Sequence, residues 1–193
     1  MSKSHKKQPA LTRNTRKYLE TFNCILAEMI CDMTYARLTK SISHNFIVQM
    51  IPHHKAAIQM SENILKFTSN PDIEQIACNI ISEQTKGIEK MERILCCCSR
   101  QCNSTEDLCA YQEHMEKHMQ KMFDCMRTVE VVNPNDCNFL REMIPHHEGA
   151  VALSEIALQY CICEELKPIL QSIIASQKQE ICQMQELMEC LCC

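Results

Sequence analysis

The sequence predicts an all-helical (all-α) protein made of two tandem helical-bundle modules, and three observations carry that expectation. The first is an internal repeat. Phe46-Ile-Val-Gln-Met50-Ile51-Pro52-His53-His54 returns 93 residues later as Phe139-Leu-Arg-Glu-Met143-Ile144-Pro145-His146-His147. The register holds from Tyr18 to Arg100 without insertion or deletion, with 22 identities in 83 aligned positions, which marks a duplication. The second observation is composition: only two glycines, no tryptophan and few β-branched runs leave little from which to build a sheet. The third is periodicity, because apolar residues recur three and four apart between short breaks of Pro, Asn and Ser.

The modules are read as 12–100 and 101–193, after a flexible basic tail at 1–11. The first helix is expected over 12–38, with Tyr18, Phe22, Ile25, Met29, Met33 and Ala36 on one face. Ser43 reads as the N-cap of a second helix that carries Pro-His-His and ends near Phe67. Asn70-Pro71-Asp72 stops that helix and starts a third, with proline at its first position. Ile73, Ile76, Ile80, Gln84, Met91 and Leu95 form its stripe. A fourth helix begins after Ser104, with Asp107 completing a capping box. The fifth begins at Asp136, after the Asn133-Pro134 break. The sixth covers 164–191 with Pro168 in its first turn, where proline is tolerated. Short connections favour antiparallel neighbours. Three helices make an incomplete bundle, so the modules either pack together or each borrows a helix.

The repeated motif reads as chemistry inside a helix. At about 100° per residue, Met50, His53 and His54 occupy roughly a third of the circumference, in the sector of Phe46, Ala57, Ser61 and Ile64. Pro52 lacks a backbone donor and clashes with the carbonyl four residues back, so a kink is expected that turns both imidazoles inward. Histidines flanking a core stripe would explain a single copy. A duplicated Pro-His-His beside methionine points instead to a metal. The fourth helix carries His114, Met115, His118, Met119, Met122 and Met126 at spacings of three and four. Methionine is ordinary core filler, but histidines woven among methionines give a donor set. Copper(I) is soft and accepts thioether, imidazole and thiolate, so one ion accounts for all three.

These residues carry a resemblance. Met50 to His54, then Ala57 and Met60, then a following helix with Gln84 and Met91, resemble the family known as domain of unknown function 305. The second copy is closer still, through Ile173, Ile174, Gln177, Glu180, Ile181 and Met184. The resemblance covers 46–95 and 139–188. It implies a ferritin-like helical architecture and copper binding in copper homeostasis or resistance. The first copy departs from the pattern with Gly87 where the second has Glu180, which takes the carboxylate away from the first.

Sixteen cysteines form a second constellation. Cys96, Cys97 and Cys98 end the first repeat with Cys102 and Cys109 after them, Cys161 and Cys163 close the fifth helix, and Cys190, Cys192 and Cys193 end the chain. None shows the paired two-residue spacing of a zinc knuckle, so copper(I) is favoured over zinc. Disulfides in an oxidising setting are the other reading. Cys78 and Cys182 read as small buried hydrophobes.

Bulk properties exclude other classes. Lys plus Arg is 20 and Asp plus Glu is 24, a net charge of −4 that suggests no nucleic-acid partner. The basic residues Lys3, Lys6, Lys7, Arg13, Arg16 and Lys17 read as a solvated tail. No apolar run approaches the 18 or so residues of a membrane span. No signal peptide is visible, so the expected compartment is the cytoplasm, with most thiols reduced. No glycine-rich phosphate loop, nucleophile elbow or Glu-x-x-His pair points to an enzyme. Glu62 and Glu155, kept in both copies, fall about 80° from the second histidine on the helical wheel and read as surface groups.

The sequence therefore reads as a cytoplasmic copper(I)-binding protein for sequestration or homeostasis, with metal ions as partners and a homo-oligomer left open. One ligand set is Met50, His53 and His54 with Met29, Met33 and Met91. Its duplicate is Met143, His146 and His147 with Met122, Met126 and Met184, enlarged by His114, Met115, His118 and Met119. Cys96, Cys97, Cys98, Cys190, Cys192 and Cys193 form a tighter reservoir. The alternative is a cysteine-rich structural or interaction protein in which histidine and methionine merely pack.

Overall fold

The computed structural model describes residues 10–192; the tail residues 1–9 and Cys193 lie outside the described part. Six helices follow in order: α1 (Arg13–Thr34), α2 (Ile42–Ile64), α3 (Pro71–Cys98), α4 (Thr105–Arg127), α5 (Asn135–Ala157) and α6 (Lys167–Leu191). The described residues contain no strand. The protein is all-α.

Capping explains where most helices start. Thr12 Oγ1 accepts from the Thr15 N–H, Asn70 Oδ1 from Asp72 with Pro71 in the first turn, and Ser104 Oγ from Asp107. Several boundaries differ from the sequence expectation: α2 ends at Ile64 rather than near Phe67, and α6 starts at Lys167 rather than at 164. α2 is capped by Ser41 rather than Ser43: the Ser41 hydroxyl accepts from the His44 N–H and donates to the Cys98 carbonyl. α1 stops at Thr34, short of Leu38, because the following segment is held by Asn45. Asn45 accepts from the Thr39 N–H and donates to the Thr39 carbonyl. Asn138, its counterpart 93 residues on, makes the same pair of bonds to Val132.

α2 and α5 are the inner helices. Each is buried on nearly every side, as expected when a helix has neighbours all around it. α1 and α3 pack on α2, α4 and α6 on α5, and the halves meet where α2 crosses α5 and α3 meets α6. The first helix of each half also reaches the inner helix of the other. Tyr18 donates its hydroxyl hydrogen to Glu142, and Gln49 donates to the Met33 carbonyl and to Met119 Sδ at 3.7 Å. One continuous apolar core results, so the halves pack together. Among the described residues, no helix is long and apolar enough to cross a membrane.

Two cysteine expectations are corrected. Cys78 and Cys182 are exposed, not buried. Cys192, read above as a thiolate ligand, is bonded to Cys137, which ties the end of α6 to the start of α5. A sulfur in a disulfide offers no thiolate.

Candidate metal centre

At the crossing of α2 and α5 the two Pro-His-His segments face each other. The rings of His53 and His146 stack with centroids 3.6 Å apart and planes 31° from parallel. His54 lies 6.1 Å from His53, and His147 lies 5.8 Å from His146, so four rings run across the crossing. All four are buried. Burial disfavours the charged imidazolium and pushes the pKa of His53, His54 and His146 down, that of His54 to about 3, with neighbouring imidazoles adding to the effect. The rings of those three are neutral at physiological pH, the state in which imidazole coordinates a metal.

The hydrogen bonds assign the free nitrogens. His146 Nε2 lies 3.2 Å from the His53 carbonyl, and His147 Nε2 lies 2.8 Å from Glu180 Oε2. Each of these nitrogens therefore carries the hydrogen, leaving a lone pair on Nδ1. Among the described residues, no hydrogen bond reaches the Nδ1 atom of any of the four histidines, or either nitrogen of His53. A buried polar group left without a partner costs about 1–3 kcal/mol. Such a concentration of unpartnered groups calls for a functional explanation. Ser61, Ser154, Gln84 and Gln177 add unpartnered oxygens, and all four positions are identical between the repeats.

The methionines named with these histidines lie in the same apolar core. Met29, Met33, Met50, Met91, Met122, Met126, Met143 and Met184 are all buried. Met50 and Met143 lie one turn before the histidines on their own helices. Met184 lies one turn beyond Glu180, the partner of His147, and Met91 one turn beyond Gly87.

Both glycines of the chain sit inside helices, Gly87 in α3 and Gly149 in α5. Glycine there costs roughly 1 kcal/mol relative to alanine. The cost has a local cause. A Cβ on Gly87 would lie 2.9 Å from His54 Cδ2 and 3.0 Å from His54 Nε2. A Cβ on Gly149 would overlap Met122 Sδ and lie 2.7 Å from its Cγ. Each glycine is a notch that admits one of the donor side chains named above.

The two halves are not equivalent. Glu180 holds His147 from α6, whereas the corresponding Gly87 leaves His54 facing a cleft of about 30 Å³ on the α3–α6 seam. Gln84, Lys90 and Gln177 line the same cleft. Sequence reasoning noted the Gly87–Glu180 difference without this consequence. It also missed Glu142, whose carboxyl is pushed up to about 8 by burial despite the Tyr18 hydroxyl that donates to it.

Other named residues fall elsewhere. His114 is exposed, with its Nδ1 3.1 Å from the Tyr160 hydroxyl, and His118 bonds the His114 carbonyl. Neither joins the four-histidine layer. His118 instead lines a small surface cleft with Met122 and Gly149. Met115 and Met119 line a separate, larger cleft with Gln49 and Tyr111. Cys96, Cys97 and Cys190 are exposed at helix ends and Cys98 is buried. Glu62 and Glu155 are exposed, and Glu155 pairs with Lys178 at 2.7 Å.

A six-helix protein whose inner helices present a buried imidazole and thioether layer is the class that fold and centre define. The chain belongs to the family described as Domain of unknown function (DUF305), which its sequence matches over residues 43–188. Solved structures of CopM are similar to it: the silver-bound form obtained by soaking at 26% identity and TM-score 0.58, over 79% of this chain and 98% of that one. The Cu(I)-bound form gives 26% and 0.56, over 79% and 97%, and the Cu(II)-bound form 27% and 0.57, over 77% and 98%. A DUF305 fragment from Deinococcus radiodurans shares the fold at 24% identity and TM-score 0.57, over 78% and 97%. Uncharacterized protein L153 of Acanthamoeba polyphaga mimivirus is 37% identical over 73 residues, 37% of this chain and 48% of that protein. That match spans about half the length of the relative.

Proposed function

We propose that this protein binds copper(I) at the α2–α5 crossing and sequesters or buffers it, as a cytoplasmic metal-binding protein rather than an enzyme. The observation that carries the reading is the set of four buried imidazoles whose Nδ1 atoms have no hydrogen-bond partner among the described residues. Packing alone gives no return for burying them. A soft cation would take up those lone pairs and the thioethers around them. Glu180 orients His147 in the way that an outer carboxylate orients a metal-bound imidazole. The copper- and silver-bound states of CopM, a structural relative, support the same class of ligand. The cleft beside His54 is the proposed approach from solvent.

The test is an anaerobic copper(I) titration, against a chromophoric chelator, of the parent and of a variant with His53, His54, His146 and His147 changed to alanine. The variant should lose the fraction of copper held by the imidazoles and keep the fraction held by thiolates. The rival reading, a structural protein cross-linked by cysteines, draws on the Cys137–Cys192 bond. It requires that the two proteins show the same copper stoichiometry and pH profile.

A further inference from the structure

A second group of donors lies away from the histidine layer. Cys97, in the last turn of α3, meets Cys163 and Glu165, in the connection between α5 and α6, with their donor atoms all within 4.8 Å of one another. Cys163 Sγ is 2.7 Å from Glu165 Oε2. Two sulfurs and one carboxylate thus converge from the two halves of the chain.

The two segments are held in place independently of any ion. The Cys163 N–H donates to the Ser43 hydroxyl at 2.8 Å. Two residues before it, the Cys161 carbonyl accepts from Asn103 Nδ2 at 2.7 Å, and Gln101 donates to the Cys161 sulfur at 3.2 Å. Asn103 in turn bonds the Lys40 carbonyl and the Ile42 N–H. A donor set fixed in this way loses little freedom when it closes on an ion.

We propose that Cys97, Cys163 and Glu165 form a site for a single divalent ion of the zinc class, separate from the copper centre. The chemistry decides between ions. Copper(I) selects soft donors and gains little from a carboxylate, whereas zinc takes thiolate at about 2.3 Å and carboxylate at about 2.0–2.2 Å in one tetrahedral shell. Those bond lengths need donors about 3.5–3.8 Å apart. Small side-chain rotations bring atoms within 4.8 Å to that spacing. The absence of a zinc-knuckle spacing in the sequence is no obstacle, since the ligands come from segments some 65 residues apart in the chain. Binding releases the thiol protons and joins the end of α3 to the α5–α6 connection.

The test uses the reduced full-length protein and cobalt(II) as a spectroscopic stand-in for zinc, under anaerobic conditions. The parent should show near-ultraviolet sulfur-to-cobalt charge transfer with tetrahedral visible bands, both removed by stoichiometric zinc. Cys163→Ser should lose one equivalent of this signal. Glu165→Gln, a change at an exposed side chain, should keep charge transfer but bind cobalt about tenfold or more weakly, at least the effect of losing an outer-shell partner. Both variants should take up copper at the histidine centre as the parent does, which also reports that they fold. The proposal is overturned if both variants match the parent in cobalt stoichiometry and spectrum, or if the four-histidine variant is the one that loses the thiolate bands. Failure of the copper reading would instead appear in the histidine titration and leave the cobalt result unchanged.

Discussion

Replacing Gly149 with alanine tests the reading of the helix glycines as notches. On helix propensity alone, alanine in the interior of α5 should stabilise the protein by about 1 kcal/mol. The new Cβ, however, overlaps Met122 Sδ and lies 2.7 Å from its Cγ. The methionine sulfur must retreat by about 1.5 Å or more to restore a normal contact of ~3.5–4.0 Å. Met122 is buried, and overpacking of that kind costs about 1–3 kcal/mol. The net expectation is a loss of about 0–2 kcal/mol, measured by urea denaturation of the metal-free protein. The displaced thioether should also weaken copper(I) binding about tenfold, equivalent to about 1.4 kcal/mol. Adding Met122→Ala should relieve the clash, so the two changes should couple favourably in a double-mutant cycle by more than about 0.5 kcal/mol. A Gly149→Ala protein that gained about 1 kcal/mol and bound copper like the parent would refute the notch.

Three further outcomes follow from the same structure. Burial holds His53, His54 and His146 neutral in the folded state, whereas the unfolded chain takes up protons near pH 6.5. Metal-free stability should therefore fall as pH drops below about 6.5, by up to about 1.4 kcal/mol per pH unit for each such histidine. Glu142 acts in the opposite sense, because its raised pKa adds stability at low pH that fades between about 4.5 and about 8. A stability profile that rose steadily from pH 6.5 down to pH 4 would contradict the neutral layer. Glu180→Ala frees the His147 ring and should weaken copper(I) binding about 10–100-fold with little change in stoichiometry, read by chelator competition. Unchanged affinity would mean that His147 is no ligand. Cys137→Ser opens a link between residues 55 apart and should cost up to about 4 kcal/mol in non-reducing urea titrations, a difference that should vanish under reductant.

The six helices and the inward-facing Pro-His-His were legible because they depend on local order and spacing. Periodicity put both motifs on helices, and Asn70, Ser104 and Thr12 mark starts that side-chain capping then realises. The end of α1 was not legible. It is set by Asn45, six residues after Thr39, through bonds that no propensity encodes. The sequence placed each histidine pair in its own methionine set, whereas His53 and His146 stack on each other across the halves. Nothing local in either copy says that they meet. The meeting of Cys97 with Cys163 and Glu165 depends in the same way on how two chain segments dock. His114 shares a helical stripe with Met122 by spacing, yet lies on the far edge of that stripe, where Tyr160 holds it in solvent.

A symmetric pair of motifs would give a centre with two identical approaches. This chain departs from that at one position, Gly87 against Glu180. On the α6 side a carboxylate closes over His147 and fixes which nitrogen carries the hydrogen. On the α3 side the missing side chain lets His54 pack against the helix backbone and leaves a cleft beside its ring. Placing glutamate at position 87 would drive a side chain into the His54 ring, because even a Cβ there falls 2.9 Å from Cδ2. The glycine at 87 fits how the His54 ring sits. One side of the layer then holds its imidazole through a carboxylate, and the other leaves a small cleft beside a buried ring.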